Sequence, residues 1–190
     1  STIKGLLRTN CERIAQVFDL AWIDPHDDSA SSLSAFVPHR SSPYIVNRLF
    51  GSRFAGDCLY ISDAFWEGDY YEPLHRQSIT RASIDRATNT AKQGHLFTSE
   101  NIIGGTFKGR IEAYHQEDDL QKDLELPFEY ILLLLGLTAI SQIGGQRSIG
   151  WGLVQPEILN VTYNDQAITE EMWRDPEVVE LLEIWDGGAE

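Results

Sequence analysis

The segment 144–152 places four glycines, an arginine and a serine within nine residues, GGQRSIGWG. Glycine lets a backbone approach a ligand closely and direct successive N–H groups at an anion. Arg147 and Ser148 add side-chain donors that suit phosphate oxygens. A helix C-cap followed by a tight turn is the alternative interpretation. It accounts for the first two glycines but leaves the last two without a reason.

The same segment lacks the Gly-Lys-Ser/Thr ending of a P-loop, and the helix predicted before it excludes a Rossmann fingerprint. A site for a nucleic-acid phosphate backbone is therefore the favoured interpretation. The residues assigned to this site are Gly144, Gly145, Gln146, Arg147, Ser148, Gly150 and Gly152.

Two further segments carry groups that suit RNA. The first, STIKGLLR at the start of the chain, offers a capped helix start with Lys4 and Arg8 on one face. The alternative there is a surface helix with two solvated bases. The assigned residues of this segment are Ser1, Thr2, Lys4, Gly5 and Arg8.

The second segment, RASIDRATNTA at 81–91, is predicted to form a hairpin that lies along single-stranded RNA. The alternative is an exposed hairpin in which Asp85 forms an ion pair with one of two arginines. The residues assigned to RNA in this segment are Arg81, Ser83, Ile84, Arg86 and Thr88.

Residues for classical catalysis are sparse. The five histidines are scattered, and the chain contains neither an HExxH nor a Gly-x-Ser-x-Gly motif. The acidic run 24–28 is interpreted as a solvated loop rather than a cation site. The sequence therefore assigns no catalytic residue and no metal ligand.

Charge is distributed unevenly along the 190 residues. The net charge is −14, and segments 112–129 and 165–190 contribute −6 and −8 of it, so the remaining chain balances 13 bases with 13 acids. Binding of a polyanion is thus compatible with the acidic total. No apolar run reaches the length of about 20 residues that spans a bilayer, and two cysteines cannot build a disulfide framework. We expect a cytoplasmic protein with reduced thiols.

The pattern of apolar residues predicts an α+β fold. Placing one strand before residue 1 gives the order β-α-β-β-α-β of a ferredoxin-like core, which would make up residues 1–164, with an acidic helical tail over 165–190. The predicted helices are 2–20, 44–50, 127–142 and 168–185. The predicted extended segments are 57–66, 78–98, 106–114 and 151–163.

Five motifs in this order resemble the RAMP superfamily of CRISPR-associated proteins, and most of all the backbone subunit of type III effector complexes. STIKGLLR resembles that family's "PGSSLKGxLR" segment, and LFG at 49–51 with SDA at 62–64 resembles its "LFG…DA" segment. IDRAT at 84–88 resembles "IDRxT", GTF at 105–107 resembles "GTxF", and 144–152 resembles the terminal glycine-rich loop. The likeness covers residues 1 to about 160.

This resemblance implies a ferredoxin-like, RRM-like core with a thumb-like hairpin insertion, in which the first strand precedes the present chain. It implies that Lys4, Arg8 and the glycine-rich loop hold the backbone of a CRISPR guide RNA, while the hairpin wedges between bases. The implied partners are guide RNA, target single-stranded RNA and neighbouring RAMP subunits, in a prokaryotic cytoplasm and without a membrane. If target RNA is cleaved, Mg or Mn is the expected metal, and the acidic residue lies upstream of Ser1.

Two alternatives stay open. One is an endoribonuclease of the same superfamily that processes precursor guides; it needs a histidine near the glycine-rich loop, and none lies within 25 residues of it. The other is a non-catalytic scaffold that binds protein partners through its acidic tail. The dependence of RNA binding on salt separates a guide-binding subunit from a scaffold.

Overall fold

The computed structural model describes residues 2–18, 45–51, 56–68, 75–114, 126–145, 147 and 150–174. They form a mixed α+β arrangement, as predicted. Contacts divide the chain into two units, one of 1–61 with 111–190 and one of 62–110. The buried core belongs entirely to the first unit, and no described residue of the second is buried.

Helix α1 (Thr2–Val17) forms because apolar residues recur every four positions. Leu7, Cys11 and Ala15 are fully buried, while the intervening positions are half-buried or exposed. The helix ends three residues before the predicted position. Helix α2 (Ile45–Phe50) follows the prediction within one residue, and Gly51 ends it at a φ of 77°.

Helix α3 (Phe128–Thr138) begins directly after Pro127, as the sequence predicts. It ends four residues earlier than predicted, at Thr138. The Ile140 N–H donates to the Leu137 carbonyl at 3.1 Å, so the chain tightens and leaves the helix there. The interpretation of Gly144 as the C-cap of this helix is therefore wrong; Ala139 is the cap.

The closest approach between α1 and α3 occurs at Gly136. A Cβ on this glycine would lie 2.5 Å from the Cys11 sulfur and 3.4 Å from a Leu7 methyl. Two polar contacts cross the same seam. The Asn10 side-chain amide donates to the Gly136 carbonyl at 3.3 Å, and the Cys11 thiol donates to the Leu132 carbonyl at 3.5 Å. The absence of a side chain at this position brings the two helices together.

A buried ion pair joins α2 to α3. One guanidinium nitrogen of Arg48 lies 2.7 Å from a carboxylate oxygen of Glu129, whose side chain is completely buried. Burial raises the pKa of the Glu129 carboxyl, and the nearby Arg48 charge opposes that shift. Removal of one partner from a buried pair leaves an uncompensated charge, so this contact constrains the position of α2 strongly.

In the described parts of the chain, the strands form four two-stranded antiparallel ladders. β1 (Leu59–Ile61) pairs with β6 (Ile111–Ala113), β2 (Phe65–Trp66) with β5 (Phe107–Lys108), β3 (Arg76–Ile84) with β4 (Ala91–Ile102), and β7 (Thr162–Tyr163) with β8 (Gln166–Ala167). The extended segment predicted at 57–66 is thus split between two ladders. The strand predicted at 151–163 is reduced to a single bridge at Leu153 and to β7. The four-stranded ferredoxin-like sheet stays a prediction.

Within the first unit, residues 158–173 pack against the buried core. Ile158, Val161, Tyr163 and Ile168 lie against the core, and the ring of Tyr163 contacts the ring of Tyr130 edge to face. Helix α4 (Glu171–Arg174) is short, and its Trp173 is 2% exposed. The predicted helical tail is described only as far as Arg174. The predicted domain boundary at residue 164 remains a prediction.

Gly136→Ala should destabilise the fold despite the higher helix propensity of alanine. The added methyl group meets the Cys11 sulfur, and overpacking of this kind costs about 1–3 kcal/mol, against a propensity gain of about 1 kcal/mol. Gly5→Ala is the matched control, because nothing lies within 4 Å of a Cβ there. It should raise the free energy of unfolding in urea. Adding Cys11→Ala to Gly136→Ala should recover stability; equal effects of both glycine substitutions would contradict this packing.

Cys11 should resist thiol reagents until the first unit opens. Its side chain is fully buried, and burial raises the pKa of the thiol, so little reactive thiolate forms near neutral pH. Cys58 is half-buried. With Ellman's reagent, the Cys58→Ser variant should release colour only when denaturant is added. Rapid colour release by this variant in buffer would show that α1 and α3 separate readily.

Candidate nucleic-acid interface

The basic residues at the start of α1 already have partners within the protein. The Lys4 ammonium forms an ion pair with the Asp57 carboxylate, and both side chains are about one-third exposed, at 32% and 34%. Arg8 donates to Glu12 at 2.8 Å, to the Gly51 carbonyl at 3.3 Å and to the Asn47 side-chain oxygen at 3.4 Å. The Arg8 guanidinium therefore ties α1 to the end of α2, which the sequence did not indicate.

The glycine-rich loop is closed at its base like a hairpin. Gln142 and Leu153 form an antiparallel bridge, the Ile143 N–H donates to the Gly152 carbonyl at 2.8 Å, and the Val154 N–H donates to the Ser141 carbonyl at 3.0 Å. A Cβ on Gly152 would overlap the Ile143 carbonyl. The fold thus supplies a reason for Gly152, which the sequence could explain only by the approach of a ligand.

Further out, the loop is open. Gly144, Gly145 and Gly150 are exposed, and nothing lies within 4 Å of a Cβ built on any of them. Gly144 and Gly150 have φ values of +95° and +87°, where residues with side chains are strained. Packing does not exclude a side chain here, so the main chain is accessible to a ligand. Two predicted contact residues, Gln146 and Ser148, lie outside the described residues.

A cleft of about 590 Å³ separates α1 from this loop. Its polar lining comes from Thr9, Asn10 and Arg13 of α1, and from Ser141, Gln142 and Arg147. None of the described residues that line the cleft is acidic. Two positive charges and several uncharged hydrogen-bonding groups thus face one space, to which the glycine-rich loop contributes Arg147. This combination suits the phosphates and sugars of a nucleic-acid backbone.

Arg13 is a candidate that the sequence did not single out. It lies on α1 seven positions after Leu6 and three after Asn10, both of which also line the cleft. Spacings of three, four and seven place helical residues on one face. Within the described parts of the chain, the guanidinium groups of Arg13 and Arg147 make no hydrogen bond or ion pair. Arg13 lies on the same face of α1 as Leu6 and Asn10. This helical spacing was the sequence signal that could have pointed to Arg13.

In the second unit, β3 and β4 form the predicted hairpin. Arg81 faces Phe97 across the ladder, and Ile84 is 63% exposed near the tip. Ser83 is half-buried on β3, and the remaining predicted contact residues, Arg86 and Thr88, are exposed at the tip. The hairpin thus presents an apolar side chain and a guanidinium at its outer end.

Asp85 organises the turn at this tip. One of its carboxylate oxygens accepts hydrogen bonds from the N–H groups of Ala87 at 2.8 Å and Thr88 at 3.3 Å. The Asp85 N–H donates to the Thr90 carbonyl at 2.9 Å, and Asn89 adopts a φ of 52°. The carboxylate therefore caps the backbone of the turn, a role different from the ion pair considered in the sequence analysis.

Thr2, Lys4, Gly5, Arg8 and the glycine-rich loop belong to the first unit, and the hairpin residues belong to the second. Ser1 lies outside the described residues. Among the residues that the structure describes, no group of three potential metal ligands lies together. The described helices include none that is long and apolar enough to cross a bilayer.

Asp85→Ala should loosen the hairpin tip, because two backbone N–H groups lose their acceptor, at a cost of about 1 kcal/mol for each bond. Asp85→Asn keeps one oxygen acceptor and is the matched control. The backbone heteronuclear NOE of residues 86–89 should fall in the alanine variant and stay near the wild-type value in the asparagine variant. An unchanged NOE after Asp85→Ala would show that the carboxylate does not hold the turn.

A family model, that of the RAMP superfamily, matches residues 1–155. No curated protein matches the chain significantly. The matched stretch includes α1, both ladders of the second unit and the glycine-rich loop, and it covers well over half of the 190 residues. The chain belongs to the RAMP superfamily.

Proposed function

We propose that this protein is a guide-RNA-binding backbone subunit of a type III-like CRISPR effector. It holds the guide RNA, positions target RNA, and assembles with neighbouring RAMP subunits. Membership of the RAMP superfamily is consistent with a CRISPR-associated role. The type III assignment and the guide-binding role rest on the sequence motifs and on the cleft.

The cleft between α1 and the glycine-rich loop is the observation that carries this proposal. It combines Arg13 and Arg147 with the polar side chains of Asn10, Ser141 and Gln142, and none of its described lining residues is acidic. In a protein with a net charge of −14, such a surface is unusual. Arginines and backbone N–H groups read the charge and shape of a polynucleotide rather than its sequence. A subunit that leaves sequence recognition to base pairing needs contacts of this kind.

The hairpin supports the same function. Residues 75–103 hold four bases and two acids, and one of those acids, Asp85, is occupied in capping the tip. The exposed Ile84 and the neighbouring Arg86 form an end that is both apolar and cationic. Apolar side chains that insert between bases, next to cations that meet phosphates, suit unpaired RNA.

The two basic residues at the start of α1, Lys4 and Arg8, have different roles. Arg8 makes two hydrogen bonds that fix α1 against the end of α2 and one to Glu12 of its own helix, so its first role is structural. The ion pair of Lys4 with Asp57 is partly exposed, and such pairs contribute little to stability. Lys4 can therefore exchange Asp57 for an RNA phosphate at low cost, whereas Arg8 cannot leave its partners without loosening the helix.

Cleavage of target RNA is assigned to no residue of this chain. If the assembled complex cuts RNA, a divalent cation, Mg or Mn, would activate the attacking oxygen. The described residues of this chain would then contribute the positioning of the RNA strands.

Arg13→Ala combined with Arg147→Ala should weaken RNA binding and also reduce its dependence on salt. Each phosphate contact contributes about 0.7 to the slope of log affinity against log salt for single strands, so losing two contacts reduces the slope by about 1.4. Fluorescence anisotropy of a labelled single-stranded RNA, titrated at several NaCl concentrations, measures both quantities.

Arg174→Ala is the matched control, because this arginine is exposed, pairs with Glu170 at 2.5 Å and lies outside the cleft. It should leave the affinity and the slope unchanged. If the double variant and the wild type have the same slope of log affinity against log salt, the cleft does not bind RNA phosphates. If the RNA affinity of the wild type does not change with NaCl concentration, the scaffold alternative is favoured.

A further inference from the structure

The ladder of β1 and β6 has one face toward the core and one toward solvent. Leu59 and Ala113 form a pair on the core side, where Leu59 is 6% exposed. The next pair along the ladder, Tyr60 and Glu112, points the other way because successive side chains alternate between faces. Tyr114 continues on the outward side, since its N–H donates to the Cys58 carbonyl at 2.8 Å and extends the ladder.

Two aromatic rings and a carboxylate therefore share the outward face. Tyr60 is 52% exposed and Tyr114 is 66% exposed. The Tyr114 hydroxyl donates to a Glu112 carboxylate oxygen at 2.6 Å, a short charge-assisted hydrogen bond. This bond fixes the carboxylate and one ring relative to each other. The face is thus organised before anything binds to it.

The charge of the surrounding unit indicates which kind of partner suits this face. Residues 62–110 hold six bases and six acids, so the unit that contains β1 and β6 carries the whole net charge of −14. At the face itself, the carboxylate of Glu112 disfavours an RNA phosphate and attracts a cation. The outward face therefore differs in sign from the cleft that lies in the same unit.

We propose that Tyr60, Glu112 and Tyr114 form a docking site for an arginine of a protein partner. A guanidinium stacks on aromatic rings through cation–π attraction and donates to a carboxylate in the same plane. A carboxylate has lone pairs for more than one donor, so Glu112 can hold Tyr114 and also accept from the partner. Tyrosine and arginine are enriched among the residues that dominate binding energy at protein interfaces. This site is independent of the proposed RNA function.

The test uses the full chain and a small probe, the peptide acetyl-Gly-Arg-Gly-Arg-Gly-amide, followed by NMR of labelled tyrosine rings. The peptide should shift the ring signals of Tyr60 and Tyr114 in a saturable way. Its analogue with citrulline in place of arginine has the same shape without the charge, and it should bind about tenfold more weakly, as expected for the loss of about 1.4 kcal/mol of cation–π and ionic attraction.

Substitutions at the proposed site test whether the peptide binds there. Glu112→Gln and Tyr60→Ala should each weaken binding of the peptide severalfold, whereas Tyr60→Phe keeps the ring and should bind like the wild type. All three should bind single-stranded RNA with the wild-type salt slope, and Arg13→Ala should bind the peptide normally. The proposal is overturned if arginine and citrulline peptides shift the rings equally or not at all. It is also overturned if single-stranded RNA, rather than the peptide, perturbs these rings.

Discussion

The close contact between α1 and α3 at Gly136 is the constraint on which the rest of the first unit depends. Helices usually pack 8–10 Å apart, a distance set by the side chains between them. A glycine at the crossing removes one of those side chains, so Cys11 and Leu7 press directly against the α3 backbone. Because the loop that bears Arg147 follows α3 within a few residues, this crossing determines where the loop lies relative to Arg13.

Two further contacts hold these helices together. Arg8 connects α1 to the end of α2, and Arg48 connects α2 to the buried Glu129 of α3. Three helices are thus linked in a closed set, by one steric contact, one pair of hydrogen bonds and one ion pair. A charged side chain on α1 can be part of this framework or part of the binding surface, and three-dimensional contacts decide which.

That distinction shows what could be predicted from the sequence. The apolar period of α1 and the proline before α3 predicted both helices. The same period also predicted two of the three buried positions of the first, Leu7 and Cys11, but not Ala15. The hairpin, whose strands run from Arg76 to Ile102, was predicted as an extended segment over 78–98 with a polar interruption at 88–90. These features depend on neighbouring residues alone, so local patterns suffice for them.

Other features depend on distant partners and were missed. The apolar residues Ala139 and Ile140 extend the helical pattern of α3, but residues 141–143 pair with 152–154 and end the helix earlier. Lys4, Arg8 and Arg13 are all bases on the same helix. In the folded protein, Lys4 pairs with Asp57, Arg8 binds the Gly51 carbonyl and Arg13 lines the cleft. Their different roles follow from these positions. Periodicity cannot supply that information.

The second unit has no buried residue within its described part, although Leu96 and Phe97 expose 72% and 52% of their surfaces. A two-stranded ribbon without an apolar core is marginally stable in water. If this ribbon becomes ordered only when it associates, part of the free energy of association is spent on ordering it, and the observed affinity is lower. Burial of these side chains on association would appear in calorimetry as a negative change in heat capacity, larger than a preformed rigid surface of equal area would give.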